Sequence, residues 1–336
     1  MKQSIFLFSI LCCSLFAQSQ EKLLTKRIVY LVDITENVVK QEKNKDTIVS
    51  NYKVNERFWW ESMDVLMQKW KEGDLKVYNH ENKILVWDTM LRQLNTSLER
   101  YFKRKLDAKQ VQNILDNNIN KVEFEEEWTY SPTTMLINKK VLSYTPIIAI
   151  DSLYLTDEGF ATKNAFLFPL GTIKQNNSIE DTNNLLLITR NIQYTIPIYN
   201  YEPYLWWKSN LEEEYSLPYF ETMINKAENM EIPIFEGQDQ TEALQKHSVL
   251  KRRNYTTRTQ IIEDLGENMT NEYDTIINLK YNAEDIDYLK FGEEVYFDKT
   301  NMTFLKKTNY LSPMISIKDN KGEFLYYYPL YYIRKK

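Results

Sequence analysis

Residues 122–150 read VEFEEEWTYSPTTMLINKKVLSYTPIIAI, and residues 289–317 read LKFGEEVYFDKTNMTFLKKTNYLSPMISI. The two stretches align without a gap at an offset of 167, and 10 of their 29 positions are identical. In the first copy the identical residues are Phe124, Glu126, Glu127, Thr133, Met135, Lys139, Lys140, Pro146, Ile148 and Ile150. This agreement predicts one structural unit that is used twice.

Side chains in both copies alternate between apolar and polar. Phe124 and Trp128 in the first copy, like Phe291 and Val295 in the second, are separated by polar residues. Such a period of two is typical of a half-buried β-strand. Turn-forming residues follow, and then a second strand that runs into Pro146 or Pro313. Each copy therefore predicts a β-hairpin.

The similarity extends to both sides of the hairpin. Upstream, residues 60–63 and 220–223 each open an amphipathic helix, with apolar residues at the spacing of one helix face. Short strands are predicted before these helices and also after them, at residues 75–78 and 232–235. A helical insert is expected over residues 241–267 in the second copy. Mixed helices and strands of this kind predict an α+β fold. The expected organisation is a signal peptide at 1–17, a first module at 18–173, a linker at 174–184 and a second module at 185–336.

The first 20 residues have the pattern of an export signal. A charged tip is followed by a short apolar run that ends at Ala17, before the polar Gln18. The run is too short to span a membrane, so we expect cleavage between these two residues. Lipid attachment at Cys12 or Cys13 is the alternative. Both cysteines of the chain lie in this segment, so disulfides and Cys-metal sites are not expected in the mature protein.

Composition argues against several classes of function. The chain of 336 residues carries a net charge of −5, which does not favour binding to nucleic acid. It has 7 glycines, and no phosphate-binding loop or dinucleotide fingerprint occurs in the sequence. No run after the signal approaches the roughly 20 apolar residues of a membrane-spanning helix. We therefore expect no cofactor and no transmembrane segment in the mature chain.

Few residues suggest catalysis. The two histidines, His80 and His247, have no acidic or nucleophilic partner at motif spacing. Two acidic runs, 125–127 and 212–214, leave open a hydrolase that uses paired carboxylates. Adjacent strand residues point to opposite faces, however, so a run does not by itself provide a facing pair. We expect a protein without enzymatic activity.

Two glutamates occupy unusual places in the alternation. Glu126 lies between Phe124 and Trp128 on the apolar side of its strand, and Glu293 takes the equivalent place in the second copy. A buried carboxylate must be paired or hydrogen-bonded. We expect a structural role for both, because buried ion pairs often set register. Either a Lys or Arg of the neighbouring strand covers the carboxylate, or an open sheet edge leaves it hydrated.

Two tryptophan pairs precede the predicted helices. One member of each pair, Trp59-Trp60 and Trp206-Trp207, is expected to enter the core, and the other to remain outside. Exposed tryptophan is enriched at protein contacts. All four are candidate partner contacts, and a ligand platform is the alternative.

The order of these strands and turns resembles the GldN/PorN family of the type IX secretion and gliding machinery of Bacteroidetes. The resemblance rests on patterns in the first copy at residues 126–130 (EEWTY), 146–148 (PII) and 166–169 (FLFP), with counterparts at 293–299, 313–315 and 327–329. That family carries one such module, whereas this chain carries two. The second copy also lacks the strand Trp and the Gly before the short strand.

The resemblance implies a periplasmic structural protein without enzymatic activity. It implies partners of two types, an outer-membrane lipoprotein of the GldK/PorK type and motor proteins of the GldL/GldM type. A ring oligomer and association with the outer membrane through a partner are further implications. The alternatives are a secreted glycoside-type hydrolase and a periplasmic small-ligand-binding protein with a cleft between the modules.

Overall fold

The fold is taken from a computed structural model of the chain. It describes residues 20–33, 56–155, 161–175, 185–197, 211, 213–239, 242–246, 248–249, 254–264, 270–318 and 324–335.

Four α-helices and thirteen β-strands lie fully within the described residues. In chain order they are β1 (Lys22–Asp33), α1 (Glu56–Glu72), α2 (Trp87–Phe102), α3 (Ala108–Asn117), β2 (Ile119–Tyr130), β3 (Ile137–Leu155), β4 (Ala161–Pro169), β5 (Ile173–Lys174), β6 (Leu185–Pro197), α4 (Glu213–Glu228), β7 (Ile234–Phe235), β8 (Asn254–Asp264), β9 (Thr270–Lys280), β10 (Ile286–Asp298), β11 (Thr303–Lys318), β12 (Phe324–Pro329) and β13 (Tyr332–Arg334).

The strands form two larger antiparallel sheets and a separate hairpin. The first sheet has the order β1-β2-β3-β4, with β5 paired to β3. The second sheet has the order β6-β10-β11-β13-β7, with β12 paired to β11. Strands β8 and β9 pair with each other. Helices combined with antiparallel sheets confirm the predicted α+β class.

Central strands of the two sheets share one pairing register. Glu126 faces Val141 across β2 and β3, and Glu293 faces Thr308 across β10 and β11. A β-bulge directly precedes each glutamate, between Glu125 and Glu126 and between Gly292 and Glu293. A bulge adds one residue to one of the two paired strands, here β3 and β11, so the pairing shifts at the same place in both sheets. Whether residues 18–173 and 185–336 are modules that fold separately stays a prediction.

The helix of each half packs on the sheet of the other half. Helix α1 contacts β6, and α4 contacts β1. Tyr219 of α4 donates a hydrogen bond to the carbonyl of Met135 in the turn between β2 and β3, at 2.8 Å. Tyr144 of β3 likewise donates to the carbonyl of Met302, in the turn between β10 and β11, at 2.8 Å. These reciprocal contacts give the two halves a common hydrophobic core.

Several local predictions need correction. The predicted helical insert at 241–267 contains β8, in which Tyr255 to Glu263 pair with β9. The short strand predicted at 75–78 is reduced to bridges made by Tyr78. Lys174, placed in the linker, still pairs with Ser143. The strand pairing in each case is a long-range contact, which local propensity does not reveal.

The described residues contain no helix with both the length and the hydropathy needed to cross a membrane. Nor does that part of the chain bring together three or more His, Cys, Asp or Glu residues in a way suited to a metal ion.

Candidate functional site: a buried charge network between the sheets

Glu126 and Glu293 are both fully buried, with 0% exposure. They lie on the central strands β2 and β10, where the alternation that buries Phe124 and Trp128, and Phe291 and Val295, also places the glutamates on the inward face. A carboxylate in this position needs a compensating charge, because burial of an unpaired ion is very costly.

The compensating charges come from the opposite sheet. Lys306 of β11 places its Nζ 2.9 Å from Oε1 of Glu126, and Lys139 of β3 places its Nζ 2.8 Å from Oε1 of Glu293. Both lysine side chains are essentially buried, at 1% and 0% exposure. The prediction of a Lys or Arg from the neighbouring strand was therefore wrong about where the partner comes from. Each lysine reaches across the interface, so the ion pairs join the two sheets.

Two tyrosines extend these pairs into one network. Tyr30 of β1 donates to Oε2 of Glu126 at 2.6 Å, and Tyr194 of β6 donates to Glu293. Lys306 donates to the Tyr30 hydroxyl and Lys139 to the Tyr194 hydroxyl, both at 2.9 Å. The two hydroxyl oxygens are 3.1 Å apart. The six side chains thus form a closed arrangement with corresponding members from each half.

Aromatic rings enclose the lysines. The Nζ of Lys139 lies 3.3 Å from the ring centroid of Phe291, and that of Lys306 lies 3.4 Å from the centroid of Phe124. Desolvated cation–π contacts of this kind contribute on the order of 2 kcal/mol. They offset part of the cost of removing the ammonium groups from water.

The two halves of the network differ at two equivalent positions, Trp128 against Val295 and Val141 against Thr308. Trp128 donates from Nε1 to Oε2 of Glu126 at 2.7 Å. The register-equivalent residue in β10 is Val295, which has no donor, and Glu293 instead accepts from Thr308 at 3.3 Å. Glu126 therefore accepts from an indole N–H where Glu293 accepts from a threonine hydroxyl.

Electrostatics in the network follow from burial and the close partners. Burial alone would raise the pKa of Glu126, but Lys306 and Lys139, with the hydrogen bonds of Lys306 and Tyr30, outweigh it and lower that pKa. Burial lowers the pKa of Lys139 to about 8, against the opposing attraction of Glu293 and Glu126. Burial and the nearby glutamates raise the pKa of Tyr30 and of Tyr194 well above the ordinary value. At neutral pH these directions favour an ionised Glu126 carboxylate and neutral hydroxyls on Tyr30 and Tyr194.

This arrangement joins the two sheets through two ion pairs, Lys306 with Glu126 and Lys139 with Glu293. Glutamates used by a hydrolase must face the scissile bond and a water molecule. Here each carboxylate is enclosed by a lysine, a tyrosine and aromatic rings.

Of the other predicted site residues, Trp59 is fully buried and donates from Nε1 to the carbonyl of Ile119 at 2.8 Å. Both Trp59 and Trp60 lie within α1 rather than before it. Trp59 has no surface to offer a partner, which corrects its assignment as a contact. Trp60 is half-buried and lines a groove of about 240 Å³ with Asp64 and Asp116.

The remaining predicted residues are not gathered at one site. Glu125 forms an ion pair with Arg27 at 2.5 Å, and the His80 side chain is 89% exposed. Trp206, Trp207, Ala17, Gln18, His247 and the side chains of 212–214 lie outside the described residues.

Sequence reasoning missed four members of the network. Lys139 and Lys306 are identical across the two copies and stand at positions where the alternation calls for an apolar side chain. Tyr30 and Tyr194 occupy corresponding places in the first strand of each half. The lysine that both copies carry on the inward face of the strand was the sequence signal that the glutamates had partners.

A second feature is a cleft of about 390 Å³ on the first sheet. It is lined by residues of all four long strands and by the turn before α2, among them Leu31, Tyr78, Leu85, Glu123, Ile147 and Leu167. It lies within the first half of the chain.

No protein-family model matches this chain, and no curated protein matches its sequence.

Proposed function

We propose that this chain is a periplasmic structural protein without enzymatic activity that binds protein partners, in the manner implied by its resemblance to the GldN/PorN family. The observation that carries the proposal is the reciprocal charge network, in which Lys139 binds Glu293 and Lys306 binds Glu126. Such a connection makes the two halves a single body, which is the mechanical property a scaffold needs.

Helix packing supports the same view. Lys299 in the turn after β10 forms an ion pair with Glu61 of α1 at 3.0 Å, and Lys69 of α1 donates to the carbonyl of Thr300 at 3.1 Å. Helix α1 therefore holds the end of the opposite hairpin. Independent movement of the halves would break these contacts together with the central network.

Exposed aromatic and apolar side chains supply contact surface. Tyr326 and Tyr327 on β12 are 44% and 40% exposed, and Ile84 and Val86 are 62% and 61% exposed. Tyrosine is common at protein interfaces because its ring is apolar and its hydroxyl is polar. These groups support a role in protein binding.

The test is capture of the expected partners by the immobilised, full-length mature chain. We expect it to retain a lipoprotein of the GldK/PorK type or motor proteins of the GldL/GldM type from solubilised envelopes. Trp60 on α1 is only half-buried, so its exposed part can contact a partner, and Trp60→Ala should reduce retention. Lys140→Ala, at an exposed residue, is the control.

A folded chain that retains neither type of partner would contradict the scaffold function. A glycoside-hydrolysing activity of the pure protein that is lost in Glu125→Gln or Glu127→Gln would favour the hydrolase instead.

A further inference from the structure

The cleft on the first sheet departs from the alternation that governs the rest of the sheet. Leu31, Glu123 and Thr145 are neighbours in one row across β1, β2 and β3. This row lies on the face opposite to the buried Tyr30, Phe124 and Tyr144. Outward positions on an antiparallel sheet are usually polar. Here Leu31, together with Leu167 of β4, contributes apolar surface to an open cleft.

The walls of the cleft are held in place by the backbone. Tyr78 and Thr172 exchange hydrogen bonds of 2.9 and 2.8 Å, and Trp70 donates to the carbonyl of Leu85 at 2.9 Å. Gly171 has a φ of +141°, and a Cβ at this position would lie 2.5 Å from Cγ1 of Val77. The close approach of the turn to the sheet thus depends on glycine. The cleft is preformed, which reduces the entropic cost of binding.

One carboxylate dominates the charge of the cleft. Glu123 is the acidic residue among the lining side chains, and none of those described is Lys or Arg. Arg27 of β1 forms its ion pair with Glu125 at 2.5 Å. Lys174 lies 4.7 Å from the ring centroid of Tyr78 and does not line the cleft. Within the described part of the chain, no hydrogen bond holds the Glu123 carboxylate.

Burial and the adjacent Glu125 raise the pKa of Glu123, while Arg27 opposes the rise. A carboxylate in this environment is stabilised when a cation arrives. The surrounding leucines and Ile147 favour an apolar stem on that cation.

We infer that this cleft binds a lysine side chain of a protein partner. In the partner, apolar residues on either side of this lysine cover Leu31 and Leu167. The ammonium group meets Glu123, and the methylene stem lies along the apolar walls. Lysine fits this cleft because it carries its charge at the end of a flexible, unbranched apolar stem. This inference rests on the proposed scaffold function and specifies the chemistry of one partner contact.

The experiment measures binding of three peptides to the full-length mature chain by isothermal titration calorimetry. The probes are acetyl-Leu-Lys-Leu-amide and the matched peptides with Glu or norleucine in the central place. We expect the lysine peptide to bind at least roughly tenfold more tightly than either. Glu123→Gln should abolish this difference. Glu125 lies on the same face of β2 and forms the ion pair with Arg27. Glu125→Gln should preserve the difference in affinity between the peptides.

A second variant keeps the test decisive if Glu123→Gln alters the fold. Leu31 is the cross-strand neighbour of Glu123, so Leu31→Lys places a cation beside the carboxylate and should block the lysine peptide. Equal affinity of the wild type for all three peptides, or unchanged selectivity in both variants, would overturn the inference. Binding of free hexylammonium as tightly as the lysine peptide would also overturn it, because the site would then take a small amine.

The outcome is separable from that of the scaffold test. Capture of envelope partners without peptide selectivity defeats this inference alone. A lysine-selective cleft in a chain that captures no partner contradicts the scaffold function and leaves the peptide site in place.

Discussion

Lys139 of the first sheet and Glu293 of the second lie 2.8 Å apart, both with side chains that are 0% exposed. The lysine is surrounded by the rings of Phe291, at 3.3 Å from the centroid, and Trp128, at 4.4 Å. The pair is therefore shielded from water and from salt, unlike an ion pair on the surface. Removal of either partner should therefore destabilise the whole fold.

Lys139→Met is expected to lower the free energy of unfolding by about 3 to 5 kcal/mol, because it leaves Glu293 buried without its cation. Urea denaturation followed by circular dichroism measures the change. Lys140→Met is the matched control, since Lys140 is the adjacent and exposed residue of the same strand. Equal effects of the two substitutions would contradict the role of the network. Combining Lys139→Met with Glu293→Leu should recover much of the loss, because no unpaired charge then remains.

Acid should weaken the fold through Glu126. Its pKa is lowered from the ordinary value of 4.5, so the unfolded chain binds this proton more tightly than the folded chain does. The stability that Glu126 contributes is therefore present above about pH 4.5 and is lost as the pH falls towards the folded-state value. We expect the difference in unfolding free energy between the wild type and Glu126→Gln to shrink below that pH. A difference that stays constant down to the acid transition would exclude this linkage.

Alkali should act through the tyrosines. The pKa of Tyr30 is raised well above 10.0, chiefly by burial and then by Glu126, so the folded chain keeps a proton that the unfolded chain loses. Stability from this group is present below pH 10 and declines as the pH rises above it. Tyr30→Phe should make the decline above pH 10 shallower. Tyrosinate absorbance, recorded beside the unfolding curves, tests whether the late-titrating phenol disappears in this variant.

The fold class could be predicted because alternation and repetition are local signals. Phe124 and Trp128 mark the inward face of β2, and both are fully buried. The β8–β9 hairpin was missed, because residues 241–267 were interpreted as a helical insert and the pairing of Ile261 with Tyr273 is a non-local contact that local propensity does not reveal. Burial of Trp59 was also hidden, because sequence does not indicate which Trp of an adjacent pair faces the core.

The site was predicted in part. Burial of Glu126 and Glu293 followed from alternation, but the source of their cations did not, because Lys139 and Lys306 are far from the partner glutamate in sequence. The cleft at Glu123 depends on how the turn at Gly171 approaches the sheet. Contacts of that kind are set by packing and leave little trace in a single sequence.

Trp59 and Trp60 should respond differently to truncation. Trp59 is fully buried and bonded to the Ile119 carbonyl, so Trp59→Ala is expected to cost about 3 to 5 kcal/mol of unfolding free energy. Trp60 is half-buried, and Trp60→Ala should cost less because less apolar surface is lost. Thermal denaturation of the two variants in parallel compares them. A larger loss for Trp60→Ala would reverse the assignment of core and surface within this pair.

Gly292 provides a steric test of the second sheet. It faces Tyr310 across β10 and β11, and a Cβ at Gly292 would lie 2.1 Å from Cε1 of the Tyr310 ring. Gly292→Ala must therefore displace a ring that is 5% exposed and hydrogen-bonded to Gln238 at 2.7 Å. Overpacking of this kind costs about 1 to 3 kcal/mol. Combining Gly292→Ala with Tyr310→Leu removes the ring, so the alanine should cost less in that background than in the wild type. An equal cost of the alanine in both backgrounds, measured by urea denaturation, would show that the ring is not the obstacle.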